Sequence, residues 1–381
     1  MCVVAAHARS SIFGLPLLDS GMAVKTFFMI SGFYMTLILT SKYKASKGGG
    51  YWLFISNRFL RIYPSYFVVL GGSLLFLAAA SIKMHKPVDR LHIWAEAWQG
   101  HHYLGVALVA LSQISIFGMD VLTLFSVSPS HGFGLGLTWS DLSQGAWKMS
   151  ILRQSWSISV ELFFYLIAPV VCVASRRVQV GLVLGSVAAY LAAWHWLPER
   201  LAWNLTYSFF PFQIGYLVLG VLSFHLLNPL FAGGRVSAAW LWSILAPFAG
   251  ILLFWGWMPA WLGNTACIGL AFFAIPALFN LTGRIKVDRI IGDLSYPMYL
   301  SHLPCKWLML ALMGVTSSDS AIVPAWALLL ITTAAAGALV WLVDYPVDRW
   351  RQRRVAGRSA AIAASRPAPA PALFEPSTVT P

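Results

Sequence analysis

Charge is what this sequence has least of. Asp, Glu, Lys and Arg make up 10% of its 381 residues, where a water-facing domain carries about 25%. Most of the chain is therefore not solvated surface, and the two or three soluble domains that its length would allow fit poorly. Acidic residues are the scarcer sign, 13 against 26 Lys and Arg, for a net charge of +13. The four cysteines, Cys2, Cys172, Cys267 and Cys305, show no CxxC spacing. That argues against a disulfide framework and a zinc site, and leaves them as small apolar packing residues. There is no P-loop and no G-x-G-x-x-G, and no convincing short-period repeat. No charged region precedes the first apolar run and no A-x-A-like site follows it, so no cleavable signal peptide is expected.

What the chain has instead is long apolar runs. Hydrophobic residues make up 59%, and a spanning helix needs roughly 20 of them in succession. Candidates lie at 22–40, 64–82, 155–174, 179–197, 205–228, 238–257, 260–281, 290–313 and 322–343. Residues 1–18 resemble most of another span, carrying Arg9 and lacking its front turns. The basic residues sit between these runs, as positive-inside loops do, which argues against nucleic-acid binding. Lys42, Lys44, Lys47, Arg58 and Arg61 follow the first full span. Arg176, Arg177, Arg235, Arg284, Lys286 and Arg289 fall in later loops, and Arg349, Arg351, Arg353, Arg354 and Arg358 in the tail. If all are cytoplasmic, an even number of crossings separates residue 62 from residue 175. The diluted apolar stretch 104–127, with Gln113 and Asp120, then does not cross and is re-entrant or packed in a large outer loop. An eleven-span arrangement is the alternative, because that loop also holds Lys83, Lys86, Arg90, Lys148 and Arg153. The expected fold is all-α, a polytopic transmembrane helix bundle of about ten spans with both termini cytoplasmic. Its membrane domain covers 1–354, and a Pro- and Ala-rich tail over 355–381 is expected to be disordered.

Ionisable residues inside such runs cost about 2.5–3.5 kcal/mol or more at mid-bilayer and are candidates for function. In "SWSISVELFFYLIAPV", Ser157, Glu161 and Tyr165 recur at i, i+4 and i+8 and share one helical face. A Glu held for packing alone is the plainer alternative. His7 stands in the first apolar segment, where a lone His is more often a core residue. An interior carboxylate that fixed its tautomer would make it a base. Arg58 and Arg61, at i and i+3 before Pro64, suit a phosphorylated ligand at the membrane edge, with simple anchoring the alternative. Ser295, Tyr299 and His302 share a further face, near Asp293 and kinked at Pro297, and could instead be hydroxyls bonded to their own helix.

In this order, these stretches resemble the integral-membrane acyltransferase family three. "AVKTFFMISGFYMT" (23–36) is similar to its G-V-x-x-F-F-x-x-S-G-F element, and "NRFLRIYPSY" (57–66) to its R-x-x-R-I-x-P-x-Y element. "SWSISVELFFYLIAP" (155–169) and "LSYPMYLSHLP" (294–304) match two longer signatures, and "DYPVDRW" (344–350) an E-x-P closing motif with Asp344 in place of Glu. The resemblance runs from residue 3 to about residue 354. It implies an acyl-CoA donor, usually acetyl-CoA, with no metal, and O-acylation of a cell-surface glycan, lipopolysaccharide or lipid-linked glycan acceptor. It also implies membrane-lipid contact, no nucleic acid, and a bacterial inner-membrane location. On it, His7 and Glu161 are expected to be catalytic, Arg58 and Arg61 to hold CoA phosphates, and Ser31, Ser157, Ser295, Tyr299 and His302 to line the substrate site. The family's first helix also carries an essential Arg upstream of its His, at a position that would precede Met1. A late start or an inactive member follows from that departure. A proton-coupled transporter or flippase is the rival class; it predicts paired repeats, and no internal symmetry is visible.

Overall fold

The computed structural model describes residues 1–12, 14–15, 17–41, 50–88, 90–128, 132–136, 145–231, 236–283, 285–315 and 321–364. Lys42, Lys44, Lys47, Arg235, Arg284 and the tail from 365 lie outside the described residues. Apart from one short hairpin, the described chain is helical. In order, the helices are α1 (Cys2–Ala8), α2 (Ser20–Ser41), α3 (Gly50–Lys83), α4 (Arg90–Gln99), α5 (Tyr103–Ser115), α6 (Ser155–Val171) and α7 (Arg176–Trp196). They continue as α8 (Glu199–Ser208), α9 (Phe210–Phe231), α10 (Ala238–Phe254), α11 (Ala260–Thr282), α12 (Lys286–Leu312), α13 (Ala325–Leu339) and α14 (Tyr345–Ala364).

Seven helices among the described residues are long and apolar enough to cross a membrane. They account for the runs expected at 22–40, 64–82, 179–197, 205–228, 238–257, 260–281 and 322–343. The 155–174 run is α6, apolar but only 17 residues long, and the 290–313 run lies within α12, whose first turns carry Lys286, Asp288 and Arg289. Of the described residues among 1–18, only Cys2–Ala8 form an α-helix. At the other end α14 runs past the expected boundary at 354 to Ala364.

The starts and stops of these helices follow from local chemistry. Ser175 and Ser237 cap α7 and α10 by accepting the backbone N–H of Val178 and Trp240, which satisfies donors a helix start leaves open. Pro198, Pro259 and Pro324 stand just ahead of α8, α11 and α13, where a missing N–H costs nothing. Antiparallel packing gathers Arg58, Arg61, Arg176, Arg177, Arg289 and Arg354 at one end of the bundle, hereafter the basic end.

The described residues of 103–136 do not form a span. The 13-residue α5 rises only about 20 Å, short of a hydrocarbon core of about 30 Å. It ends at Ile116 in the left-handed region (φ 64°) and packs along α3, where Tyr66 Oη donates to the Gln113 carbonyl (2.7 Å). The chain then turns back. Asp120 takes the Ser159 hydroxyl of α6 (2.8 Å) and the Phe210 N–H (3.2 Å). Strands β1 (Phe125–Ser128) and β2 (Gly132–Leu135) follow as an antiparallel pair with Phe125 opposite Leu135. This hairpin was not expected from the sequence.

The core runs through α2, α3, α6, α9 and α12, with Phe28, Phe54, Tyr66, Phe164 and Leu217 fully buried. Buried along most of its length, with Ser157, Glu161 and Tyr165 forming a polar stripe turned to the interior, α6 takes the centre. Around it, α2 and α9 touch backbone to backbone. A Cβ on Gly32 would lie 1.9 Å from the Leu217 carbonyl oxygen, and one on Gly220 would lie 1.9 Å from that of Met29. Large apolar side chains such as Leu75, Leu184 and Leu330 remain exposed on the outer helices, a surface suited to lipid.

Candidate active site

The close α2–α9 contact fixes the residue beside Gly32. Ser31 points to α6 and donates its hydroxyl to Glu161 Oε1 (2.7 Å). One turn further along α6, Tyr165 donates to the same oxygen (2.5 Å). Glu161 is 7% exposed, and both neighbours are donors, an arrangement built for a carboxylate. Arg58 and Arg61 of α3 lie near enough for their charges to act on both Glu161 and Tyr165.

The two arginines differ. Arg61 is shared between Asp293 of α12 (3.6 Å) and Asp344 (3.9 Å), and Asp344 also accepts the Ser65 hydroxyl (2.6 Å). Asp344 closes a π-helical segment, Val340–Asp344, between α13 and α14, so the family-like "DYP" stretch ties α3, α12 and α14 together. The Arg58 guanidinium lies 5.8 Å over the Phe54 ring, and its buried Nε has no hydrogen-bond partner among the described residues. That orphaned donor is what a phosphate oxygen fits.

His7 belongs to a different part of the site. It lines a cavity of about 370 Å³ on the hairpin side of the bundle, with Gln154, Trp156, Tyr207 and Tyr299. Its Nδ1 lies 2.8 Å from the Val3 carbonyl. Because a carbonyl only accepts, the proton sits on Nδ1, and Nε2 is the basic nitrogen. The ring packs edge-on against His302, centroids 4.8 Å apart. His302, fully buried, is anchored the same way, Nδ1 to the Tyr299 carbonyl (2.6 Å). Its Nε2 has no hydrogen-bond partner among the described residues.

The sequence-predicted residues therefore fall into two groups joined along α6. Ser31, Glu161, Arg58 and Arg61 form the basic-end group. His7, His302 and Tyr299 form the cavity group, and Ser157 links them, its hydroxyl 2.6 Å from that of Tyr299. Glu161 does not line the cavity; it lies two turns beyond Gln154 on α6, about 10 Å by helical rise. The direct His7–Glu161 pair expected from the sequence is not formed. The physical reason is that Glu161 spends its hydrogen bonds on Ser31 and Tyr165, while His7 takes its tautomer from its own helix. Ser295 stays outside both groups: it is exposed and donates to the Ile291 carbonyl of its own helix (2.8 Å).

Two residues escaped the sequence reading. Gln154 precedes α6 and spans to α12, its amide donating to the Leu300 carbonyl (2.6 Å). Lys306, 2% exposed, lies one turn after His302 and donates its ammonium to the His7 carbonyl (2.8 Å). The signal was available, since a lysine within an apolar run meets the same test that singled out Glu161. Replacing Lys306 by Met keeps the apolar stem and removes the clamp on α1. A displaced base of this kind costs up to about 10²-fold in rate, so turnover should fall sharply while the purified protein stays monodisperse. Unchanged turnover would remove Lys306 from the site.

No group of three or more His, Cys, Asp or Glu side chains among the described residues is placed to hold a metal ion. Comparison with curated proteins and with solved structures found no match. A family model described as an acyltransferase domain matches residues 1–344, nearly all of the helical bundle described above, and the chain belongs to that membrane acyltransferase family.

Proposed function

We infer that the chain is a membrane O-acyltransferase that moves an acyl group, acetyl in the simplest case, from acyl-CoA to a hydroxyl of a cell-surface glycan or lipid-linked glycan. One observation carries this reading. An anion-ready arginine and a basic histidine stand at opposite ends of one polar line, Arg58–Glu161–Ser157–Tyr299–His7, through an otherwise apolar bundle. Two substrates that enter from opposite faces of a membrane need such a line.

On this reading the basic end faces the cytoplasm of a bacterial inner membrane, and both chain ends are directed there. Arg58 takes a CoA phosphate. Arg61 keeps α3 against α12 and α14 through its two carboxylates, and so positions Arg58 more than it binds. The acceptor hydroxyl enters the cavity beside His7. Its oxygen attacks the thioester carbonyl carbon as Nε2 of His7 takes the proton. The carbon–sulfur bond then breaks, and the proton passes to the departing sulfur. Tyr299 lines the cavity with His7 and donates to the developing oxyanion once its hydroxyl leaves the Gln154 carbonyl, and His302 supports the His7 ring. Glu161 holds Ser31 and Tyr165 and balances the arginines, a positioning role in place of the dyad.

Purified protein given acetyl-CoA and the acceptor should release free thiol. Glycan from a deletion strain should lack an O-acetyl group that the parent carries, which would identify the acceptor. An unchanged glycan would overturn the reading. Arg58→Ala should raise KM for acyl-CoA about 10- to 100-fold, the equivalent of one charged hydrogen bond, and lower kcat much less. A kcat effect with unchanged KM would place the CoA phosphates elsewhere.

A further inference from the structure

Two further cavities lie on the far side of α12, turned away from His7. The inner one, about 410 Å³, is bounded by Val68 and Gly72 of α3, Pro304 and Leu308 of α12, and Ala335 and Leu339 of α13. Its two hydroxyls, Ser73 and Ser301, bond the Val69 and Pro297 carbonyls of their own helices (2.7 Å each). Neither hydroxyl is left to offer a ligand there. The outer cavity, about 640 Å³, carries Ala80, Lys83, Lys86 and His92. Phe76 and Trp307 line both, so the two join into one groove. From Val68 to Lys83 it follows α3 for about 22 Å, more than one leaflet of a hydrocarbon core about 30 Å thick.

The charged groups of this groove collect at its outer end. His92 is already engaged by Glu96 (3.3 Å). Lys83 and Lys86 have no acidic partner among the described residues. Trp307 is 2% exposed, yet its indole N–H has no acceptor among the described residues. The Arg90 guanidinium lies 4.3 Å over the same ring. A buried N–H without an acceptor is unfavourable, and an oxygen-bearing anion would relieve it.

We propose that this groove holds one phosphate-bearing anionic membrane lipid, with a chain between α3, α12 and α13 and its phosphate on Lys83 and Lys86. An apolar trough of leaflet length capped by two lysines and an orphan N–H matches that amphiphile at both ends. A free anion would leave the trough empty, and a neutral chain would leave the donors unanswered. The proposal does not rest on acyl transfer.

The test is native mass spectrometry of the full-length protein in detergent, titrated with phosphatidylglycerol or with phosphatidylcholine of the same chains. Wild-type protein should retain one phosphatidylglycerol about tenfold or more in preference to phosphatidylcholine, since each lysine near an anionic headgroup contributes to binding. The double variant Lys83→Gln, Lys86→Gln should lose that preference and keep phosphatidylcholine binding. Gly72→Leu should weaken both lipids, because it fills the trough where an added Cβ meets nothing within 4 Å. The fold is expected to survive that change. Inorganic phosphate alone should not displace the lipid. Equal retention of the two lipids by wild type, a preference that survives the lysine change, or displacement by inorganic phosphate would each overturn the proposal.

Discussion

Replacing His7 by Ala is expected to lower acyl transfer by about 10²–10⁴-fold, the range that a positioned general base supplies, while the bundle stays folded. The size of the effect follows from how completely the structure prepares this one nitrogen. The Val3 carbonyl holds the proton on Nδ1, Lys306 holds the carbonyl of His7 itself, and the His302 ring bounds one side. Stability should change little, because α1 has only seven residues and an imidazole at a cavity wall buries less than a core aromatic. His302→Asn should cost less, about tenfold, since it alters the support and leaves the base. The measurement is thiol release from acetyl-CoA in detergent, with size-exclusion chromatography to show that the variant is intact. Wild-type turnover by His7→Ala would exclude it as the base. A loss confined to His302→Asn would move the chemistry to that ring, whose Nε2 lacks a partner among the described residues.

Why Glu161 was legible and its partner was not is a matter of range. Ser157, Glu161 and Tyr165 lie on one helix, so their shared face follows from helical geometry, and all three are buried together. Which helix meets that face is a tertiary fact. Ser31 reaches Glu161 across 130 positions of chain, and no period within α6 carries that information. The same limit hid the role of Asp344, read from the sequence as a shortened closing-motif carboxylate and found between Ser65 and Arg61. Charge parity did better on residues 104–127, because loop charge reports on topology without contacts. It could not show that the stretch breaks at Ile116 and returns as a hairpin, since Gly132–Leu135 carries no strong strand pattern. Nothing within α2 explains why residue 32 is a glycine, because the reason lies on α9.

That reason makes substitution of Gly32 the other large expected effect. Gly32→Val should abolish the folded protein, with little recoverable from the membrane and no cooperative thermal transition. Ordinary overpacking costs about 1–3 kcal/mol because side chains can shift. Here the added carbon would meet the backbone carbonyl of Leu217 at 1.9 Å, and backbone within a packed helix has no rotamer to change. The helices would have to separate, and small residues at membrane helix interfaces exist to permit this approach. Gly220→Val should behave alike, since its added carbon meets the Met29 carbonyl at the same distance. Separation would also withdraw Ser31 from Glu161, so even Gly32→Ala, if it can be purified, should lose activity along with thermal stability. Gly72→Ala is the control. Its added carbon meets nothing within 4 Å, and a helix-interior Gly→Ala gains about 0.5–1 kcal/mol. A melting temperature unchanged in Gly32→Ala would mean that α2 and α9 do not touch as described. A matched loss in Gly72→Ala would mean that helix glycines matter here for some reason other than close approach.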